Sequence, residues 1–320
     1  MASGKTEPTP GWGGAALVPA RPGATYPLIL RGESYAWWRS ASGVLLAPTF
    51  WLLFGGAVTS AILSAAWWLG HRETDQQEFF AAAHRFEMWE GMLAAHLQIA
   101  LLIPICLLMV RSWHLVRPGY LWSVSGAPRW RYLAASFGVA VVVFGAYIAS
   151  RPLFGSPLVW QPQQGFWVFF LVIILTAPLQ AAAEEFLFRG YLLQALGSIV
   201  ANPWFGVLAS ALVFALFHGT QNIALFLSRF AFGVVMGILV LRTGGIEAAV
   251  AAHVVNNLFA FTLAGLTSTI SASRTITEVG WAQAFAEVFN YAVIAVLALV
   301  VAWRMKVRTT VVDEVRGTAR

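Results

Sequence analysis

The sequence predicts an all-α polytopic membrane protein with about eight transmembrane helices, and three observations carry that prediction. Of its 320 residues, 59% are hydrophobic and only 11% charged, against roughly 45–50% and 25% in soluble domains. The apolar residues gather into stretches long enough to cross ~30 Å of hydrocarbon as helices. The basic residues gather in alternate connections between them. Fifteen Trp and 23 Phe exclude disorder, and a single cysteine, Cys106, excludes a disulfide scaffold. A net charge of +6 would point to nucleic acid in a soluble chain. Beside apolar segments the same residues serve the membrane surface, so no nucleic-acid partner is expected. No GxGxxG, P-loop or internal repeat is present, so no nucleotide is expected either.

In chain order, residues 1–42 are rich in Pro, Gly and Thr and hold no apolar run of signal-peptide length. They are expected to form a cytoplasmic tail, with insertion through the first span. The spans are expected at 43–70, 91–110, 133–150, 166–190, 203–218, 223–241, 246–266 and 283–303. The second contains Cys106 and His96, both read as packing residues. The fifth is short and opens on Pro203, a good first helical residue. The sixth carries Arg229, expected to pair with Glu184 or Glu185 or to snorkel. Residues 43–303 thus form one membrane domain, and 304–320 a basic cytoplasmic tail. Trp37, Trp38, Trp67, Trp68, Trp113, Trp122, Trp160, Trp204 and Trp303 sit near span ends, where indoles belong between headgroup and chain.

Orientation follows from the arginines. Eight spans with an internal N-terminus place Lys5, Arg21, Arg31, Arg39, Arg111, Arg117, Arg129, Arg131, Arg189, Arg242, Arg304, Lys306, Arg308, Arg316 and Arg320 on the cytoplasmic side. The other side receives Arg72, Arg85, Arg151 and Arg274, and the acidic connection 71–90. A multi-pass protein of the cell membrane with both termini cytoplasmic is expected.

Ionisable groups within a span cost roughly 2.5–3.5 kcal/mol each on the insertion scale, so a cluster of them asks for a reason. The fourth span holds Glu184, Glu185 and Arg189 in AAAEEFLFRG. Glu185 and Arg189 are four apart and meet on one helical face, whereas Glu184 points about 100° away and lacks that partner. FALFHG places Phe214 four before His218, and AAHVVNN places His253 four before Asn257 on one face. Asn256 faces elsewhere and reads as a helix–helix hydrogen-bonding residue. If the fourth helix runs on to about Leu196, Glu184, His218 and His253 lie roughly 18, 22 and 10 Å from the cytoplasmic end at 1.5 Å per residue. They can then converge in one cavity, expected to open toward the cytoplasm.

In this order on successive hydrophobic segments, Glu184-Glu185-x-x-x-Arg189, Phe214-x-x-x-His218 and His253-x-x-x-Asn257 resemble the CPBP family of intramembrane proteases. That family, also called Abi, comprises type II CAAX prenyl endopeptidases and bacteriocin-processing proteins. The lead-in YPLILRG…WWR, Tyr26 to Arg39, resembles some bacterial members. The resemblance implies a protease core at about 166–266 and an endopeptidase whose catalytic residues are Glu184, Glu185, His218, His253 and Asn257.

The residue chemistry is compatible with that implication. Glu184 can act as general base, sharing the activation of water with His218. His253 and Asn257 can donate to the oxyanion formed on the attacked carbonyl. Glu185 and Arg189 form a structural ion pair that orients the helix. His218 and His253 with a carboxylate also make a zinc-like or other divalent-metal set, although HExxH is absent, so metal-bound and metal-independent water both stand. The expected partners are a peptide or protein substrate at the membrane and the lipid bilayer. The alternative is a non-catalytic scaffold or small-solute transporter that uses the polar cavity.

Overall fold

A computed structural model describes residues 17–312 other than Ser156 and the side chain of Phe154. The remainder of the two tails, with Lys5, Arg316 and Arg320, lies outside the described residues. The described residues form helices and no strand, and their only bridges are the isolated Val18–Val116, Thr25–Thr310 and Ser123–Gly245. This is what hydrocarbon demands, because a helix satisfies its backbone groups internally.

Ten helices are used below: α1 Trp37–Gly70, α2 Gln76–His84, α3 Trp89–Trp113, α4 Trp130–Ser150, α5 Phe166–Val200, α6 Pro203–Leu216, α7 Ile223–Thr243, α8 Glu247–Thr267, α9 Ile270–Arg274 and α10 Trp281–Arg304. Among the described residues, seven helices are long and apolar enough to cross a membrane: α1, α3, α4, α5, α7, α8 and α10. The fifth expected span, 203–218, shrinks to the 14-residue α6, about 21 Å long. It stops before His218 because the chain turns through Gly219, whose φ of +74° is open to glycine without strain.

The fourth helix is longer than its apolar run, as the depth argument required. α5 is 35 residues, about 52 Å, and it is the most enclosed element together with α7. It packs on α3 and α8; α8 also packs on α4, α6 on α7, and α10 against both α4 and α7. Two irregularities flank its polar stretch. Pro178 lies one turn before it, and Phe186–Leu192 widens into a π-helical segment just after it. Both loosen the regular ladder, as π-bulges and prolines do where function bends a helix.

Helix direction sorts the connections into two poles. One pole gathers the described ends of the chain with 114–129, 201–202 and 244–246. The other gathers 71–88, 157–165, 217–222 and 268–280. The first pole is tied together. Tyr26 donates its hydroxyl to Leu121 O, Val124 N to Gly244 O at 2.8 Å, Ile246 N to Trp122 O at 2.9 Å and Gly23 N to Val311 O at 2.9 Å. Arg129 clasps both oxygens of fully buried Glu247 through Nε and Nη2, and its Nη1 donates to Thr243 O at 2.7 Å and Arg308 O at 2.9 Å. At the second pole α2 starts on Asp75, whose carboxylate accepts from Gln77 N and Glu78 N, and His71 pairs with Glu90 at 2.9 Å. Trp37, Trp38, Trp68, Trp160, Trp204 and Trp303 are exposed, as interfacial indoles are.

Candidate active site

The three motifs do converge. Glu184, His218, His253 and Asn257 all line one cavity of about 930 Å³ enclosed by α3, α4, α5, α7, α8 and α10. α5 delivers Glu184 from the stretch between Pro178 and the π-helical segment, α8 delivers His253 and Asn257 from one face, and the turn after α6 delivers His218. The end of α6 at Leu216 is what puts His218 on the turn that lines the cavity.

Glu185 and Glu184 have separate environments although adjacent. Glu185 is fully buried and does not reach the cavity. Its Oε1 accepts from Arg189 Nη1 at 3.0 Å and from His253 Nδ1 at 2.7 Å. Arg189 is likewise buried, and its Nε and Nη2 have no hydrogen-bond acceptor among the described residues. Its guanidinium lies instead over the rings of Phe214 and Phe232, 4.2 and 4.7 Å from their centroids. In an apolar site such faces are worth up to ~2 kcal/mol to a cation. Phe214 of the second motif therefore holds the arginine of the first, and it also packs against His218 with ring centroids 4.5 Å apart.

Both imidazoles are fixed in tautomer by what they touch. His253 Nδ1–H goes to the Glu185 carboxylate, leaving Nε2 3.8 Å from Glu184 Oε2. His218 Nδ1–H goes to Phe214 O at 2.7 Å, leaving Nε2 for the cavity, into which this exposed ring faces. Read from the sequence, His253 was a hydrogen-bond donor to an oxyanion. As placed, its ring nitrogen on the cavity side is an acceptor until the ring gains a second proton.

Glu184 is held at one oxygen and open at the other. Its Oε1 accepts from Gln180 Nε2, while Oε2 is buried without a donor among the described residues. Gln180 Oε1 in turn accepts from Asn257 Nδ2 at 2.8 Å, and Asn257 Oδ1 accepts from Asn256 Nδ2 at 3.0 Å. An amide chain thus runs Asn256, Asn257, Gln180, Glu184, and fixes both the Asn257 amide and the Glu184 carboxylate. Gln180 was not singled out in the sequence. The signal was there, one helical turn before Glu184 on the same face, as a lone amide in an apolar run. Asn256 likewise does not stay apart from the site: it lines the cavity and orients Asn257.

Three further expectations are settled by placement. Arg229 lines the cavity, but its Nη1 donates to Gln221 Oε1 at 2.7 Å rather than to Glu184 or Glu185. His96, read as packing, is bonded to Thr176 Oγ1 at 2.7 Å but also lines the cavity, with Nε2 unpartnered among the described residues, and Cys106 is fully buried. Beyond the motif residues, the cavity lining runs from mid-helix positions such as Trp51, Leu102 and Leu187 to Phe86, Thr220, Arg274 and Thr277 in or beside the connections of the second pole. None of its lining comes from 17–35, 114–129, 244–246 or 305–312. The cavity, expected to open toward the cytoplasm, thus takes lining from the connections of the second pole and none from those of the first. Depth along a helix does not say which end of a bundle is plugged, and here the first pole is plugged.

The donor types at the site, two imidazole Nε2 atoms and a carboxylate oxygen, suit a divalent metal. Their placement does not: no group of three His, Cys, Asp or Glu among the described residues is gathered closely enough to hold an ion.

Residues 163–259 match the family model described as type II CAAX prenyl endopeptidase Rce1-like. The match takes in all three motifs together with Gln180 and Asn256, and agrees with the family that the motifs resemble. Among curated proteins, the uncharacterized protein YyaK of Bacillus subtilis (strain 168) is 36% identical over 99 residues, which are 29% of this chain and 33% of that protein. The chain thus aligns with about a third of the length of that relative.

Proposed function

We propose that the chain is an intramembrane endopeptidase that hydrolyses a peptide bond with water activated at Glu184. The observation that carries this reading is that Glu184 lines the cavity with its Oε2 buried and without a hydrogen-bond partner among the described residues, 3.8 Å from His253 Nε2, while its sister oxygen is held by Gln180. A buried polar atom without a partner is costly, and in a native site it asks for a functional reason.

The steps follow from the protons. Water accepted between Glu184 Oε2 and His218 Nε2 gives one proton to Glu184 as its oxygen attacks the carbonyl carbon. That proton reaches His253 Nε2, 3.8 Å away, so the ring becomes a donor when the oxyanion forms. Glu185, on the other side of the ring at 2.7 Å, faces the resulting charge. The second Asn257 amide hydrogen supplies another oxyanion contact, a kind of donor worth a few kcal/mol. Collapse of the tetrahedral intermediate breaks the C–N bond, and the leaving amine takes the proton back. Glu185 and Arg189 are positioning residues here, because neither reaches the cavity.

The test is cleavage of a panel of membrane-peptide substrates by purified wild type, Glu184→Gln and His253→Ala. Loss in both variants with retained folding is the expected result, and unchanged cleavage in both overturns the proposal. The same assay after chelation, with and without added Zn²⁺, reads whether His218 and His253 act as ligands.

A further inference from the structure

The site is read above from its chemistry; its access is a separate matter, carried by where charge and packing lie. The described residues at the first pole include Arg21, Arg31, Arg117, Arg129, Arg131, Lys306 and Arg308 beside Glu33, whereas the second carries Arg72, Arg85, Arg151 and Arg274 beside Glu73, Asp75, Glu78, Glu87 and Glu278. A basic excess in short connections stays on the cytoplasmic side during insertion, and acidic residues weigh little. The basic pole is also the plugged one. There Arg129 joins three segments, through Glu247, Thr243 O and Arg308 O, and Tyr26 is pinned to Leu121 O.

The mouth lies at the other pole. The 217–222 turn is tied to the 268–280 connection by Asn222, whose N–H donates to Thr277 O at 2.8 Å and whose Nδ2 donates to Val279 O at 3.0 Å. Thr220, Arg274 and Thr277, all exposed, line the cavity there. Arg229 and Glu184 line the same cavity as these mouth residues. We infer that substrate reaches Glu184 from the extracytoplasmic side. The bonds within reach are then those of polypeptide segments displayed on, or dipping in from, the outer face of the membrane, and not those of cytoplasmic tails. The substrate half of this inference rests on the peptidase reading; the direction of the mouth does not.

Two arms keep these apart. In the first, full-length single-cysteine variants on a Cys106→Ala background are expressed in bacterial cells and exposed to a membrane-impermeant maleimide. Thr277→Cys at the mouth and Glu78→Cys beside it are expected to label in intact cells. Thr309→Cys and Lys306→Cys, exposed at the basic pole, are expected to label only after permeabilisation. The reverse pattern, or equal labelling of both pairs in intact cells, overturns the inference, and the two pairs guard against a variant that does not fold. In the second arm, a library of single-spanning reporters displays randomised juxtamembrane segments on either side of the membrane. Cleavage confined to outward display and lost in Glu184→Gln supports the substrate class, and cleavage confined to inward display overturns it. Cleavage on neither side removes the peptidase reading and the substrate class with it, while the labelling still decides which way the mouth faces.

Discussion

Two buried arginine–glutamate pairs lie at different levels of this molecule and differ in how completely they are satisfied. At the basic pole, Arg129 fills both oxygens of Glu247 and spends its remaining donor on Thr243 O and Arg308 O. Inside the bundle, Arg189 meets Glu185 through one bond, and Arg189 Nε, Arg189 Nη2, Glu185 Oε2 and Glu184 Oε2 have no hydrogen-bond partner among the described residues. The first arrangement is what a clamp needs, since every donor ends on an acceptor and segments far apart in sequence are joined. The second leaves acceptor capacity beside a cavity and gives its remaining cationic surface to two aromatic faces. On the proposed function, incomplete satisfaction retained where burial makes it most costly belongs to the pair that holds the reacting groups.

The comparison breaks first at Glu184. Glu184→Gln keeps the shape and removes the base, so hydrolysis is expected to fall about 10³-fold, within the ~10²–10⁴ of a general base. The melting temperature should stay at or above that of wild type, because a buried open charge is removed. If the variant instead unfolds early with its specific activity intact, Glu184 belongs with the clamp. Arg129→Met is the mirror case. It strands Glu247 in a fully buried position and is expected to lower stability by about 3–5 kcal/mol, seen in thermal unfolding in detergent. The protein that remains folded should turn over substrate at the wild-type rate.

Much of this division is visible before any coordinates. Hydropathy places the spans, the i,i+4 spacing pairs Glu185 with Arg189, and depth arithmetic requires the fourth helix to outrun its apolar stretch, as it does to Val200. The rest is hidden for specific reasons. Gln180 carries no motif, and its importance comes from Asn257, 77 positions away in sequence. The direction in which His253 donates is set by Glu185 on another helix, and spacing within α8 cannot report it. The opening of the cavity depends on which pole is plugged, which is decided by loop contacts such as Tyr26 with Leu121 that have no periodicity to read. The 203–218 span fails by length because Gly219 ends it early.

The amide chain sharpens the comparison on a smaller scale. Asn257→Ala removes an oxyanion donor and frees Gln180 at once, and kcat is expected to fall about 10²-fold, at the lower end of what one such donor contributes. KM should move little, since the contact forms with the transition state. Gln180→Ala leaves Asn257 in place but releases Glu184 Oε1. Here kcat should fall about tenfold, below the ~10²-fold that an ångström of misplacement brings. A rise in KM with kcat unchanged would move Gln180 from positioning the base to binding substrate.

The smallest effect is expected at a third arginine–glutamate pair, which supplies the scale. Arg85 and Glu87 pair at 2.7 Å in the acidic connection with about half of each side chain exposed. The bond from Arg85 holds the Glu87 carboxyl below the usual carboxylate range, so the attraction is real. Water and salt nevertheless screen an exposed pair of this kind, and fixing two long side chains offsets most of what is left. Arg85→Ala should therefore leave both the melting temperature and the hydrolysis rate at wild-type values. A loss of stability comparable to that of Arg129→Met would show that pairing itself, rather than burial with complete satisfaction, is what separates the clamp from the site.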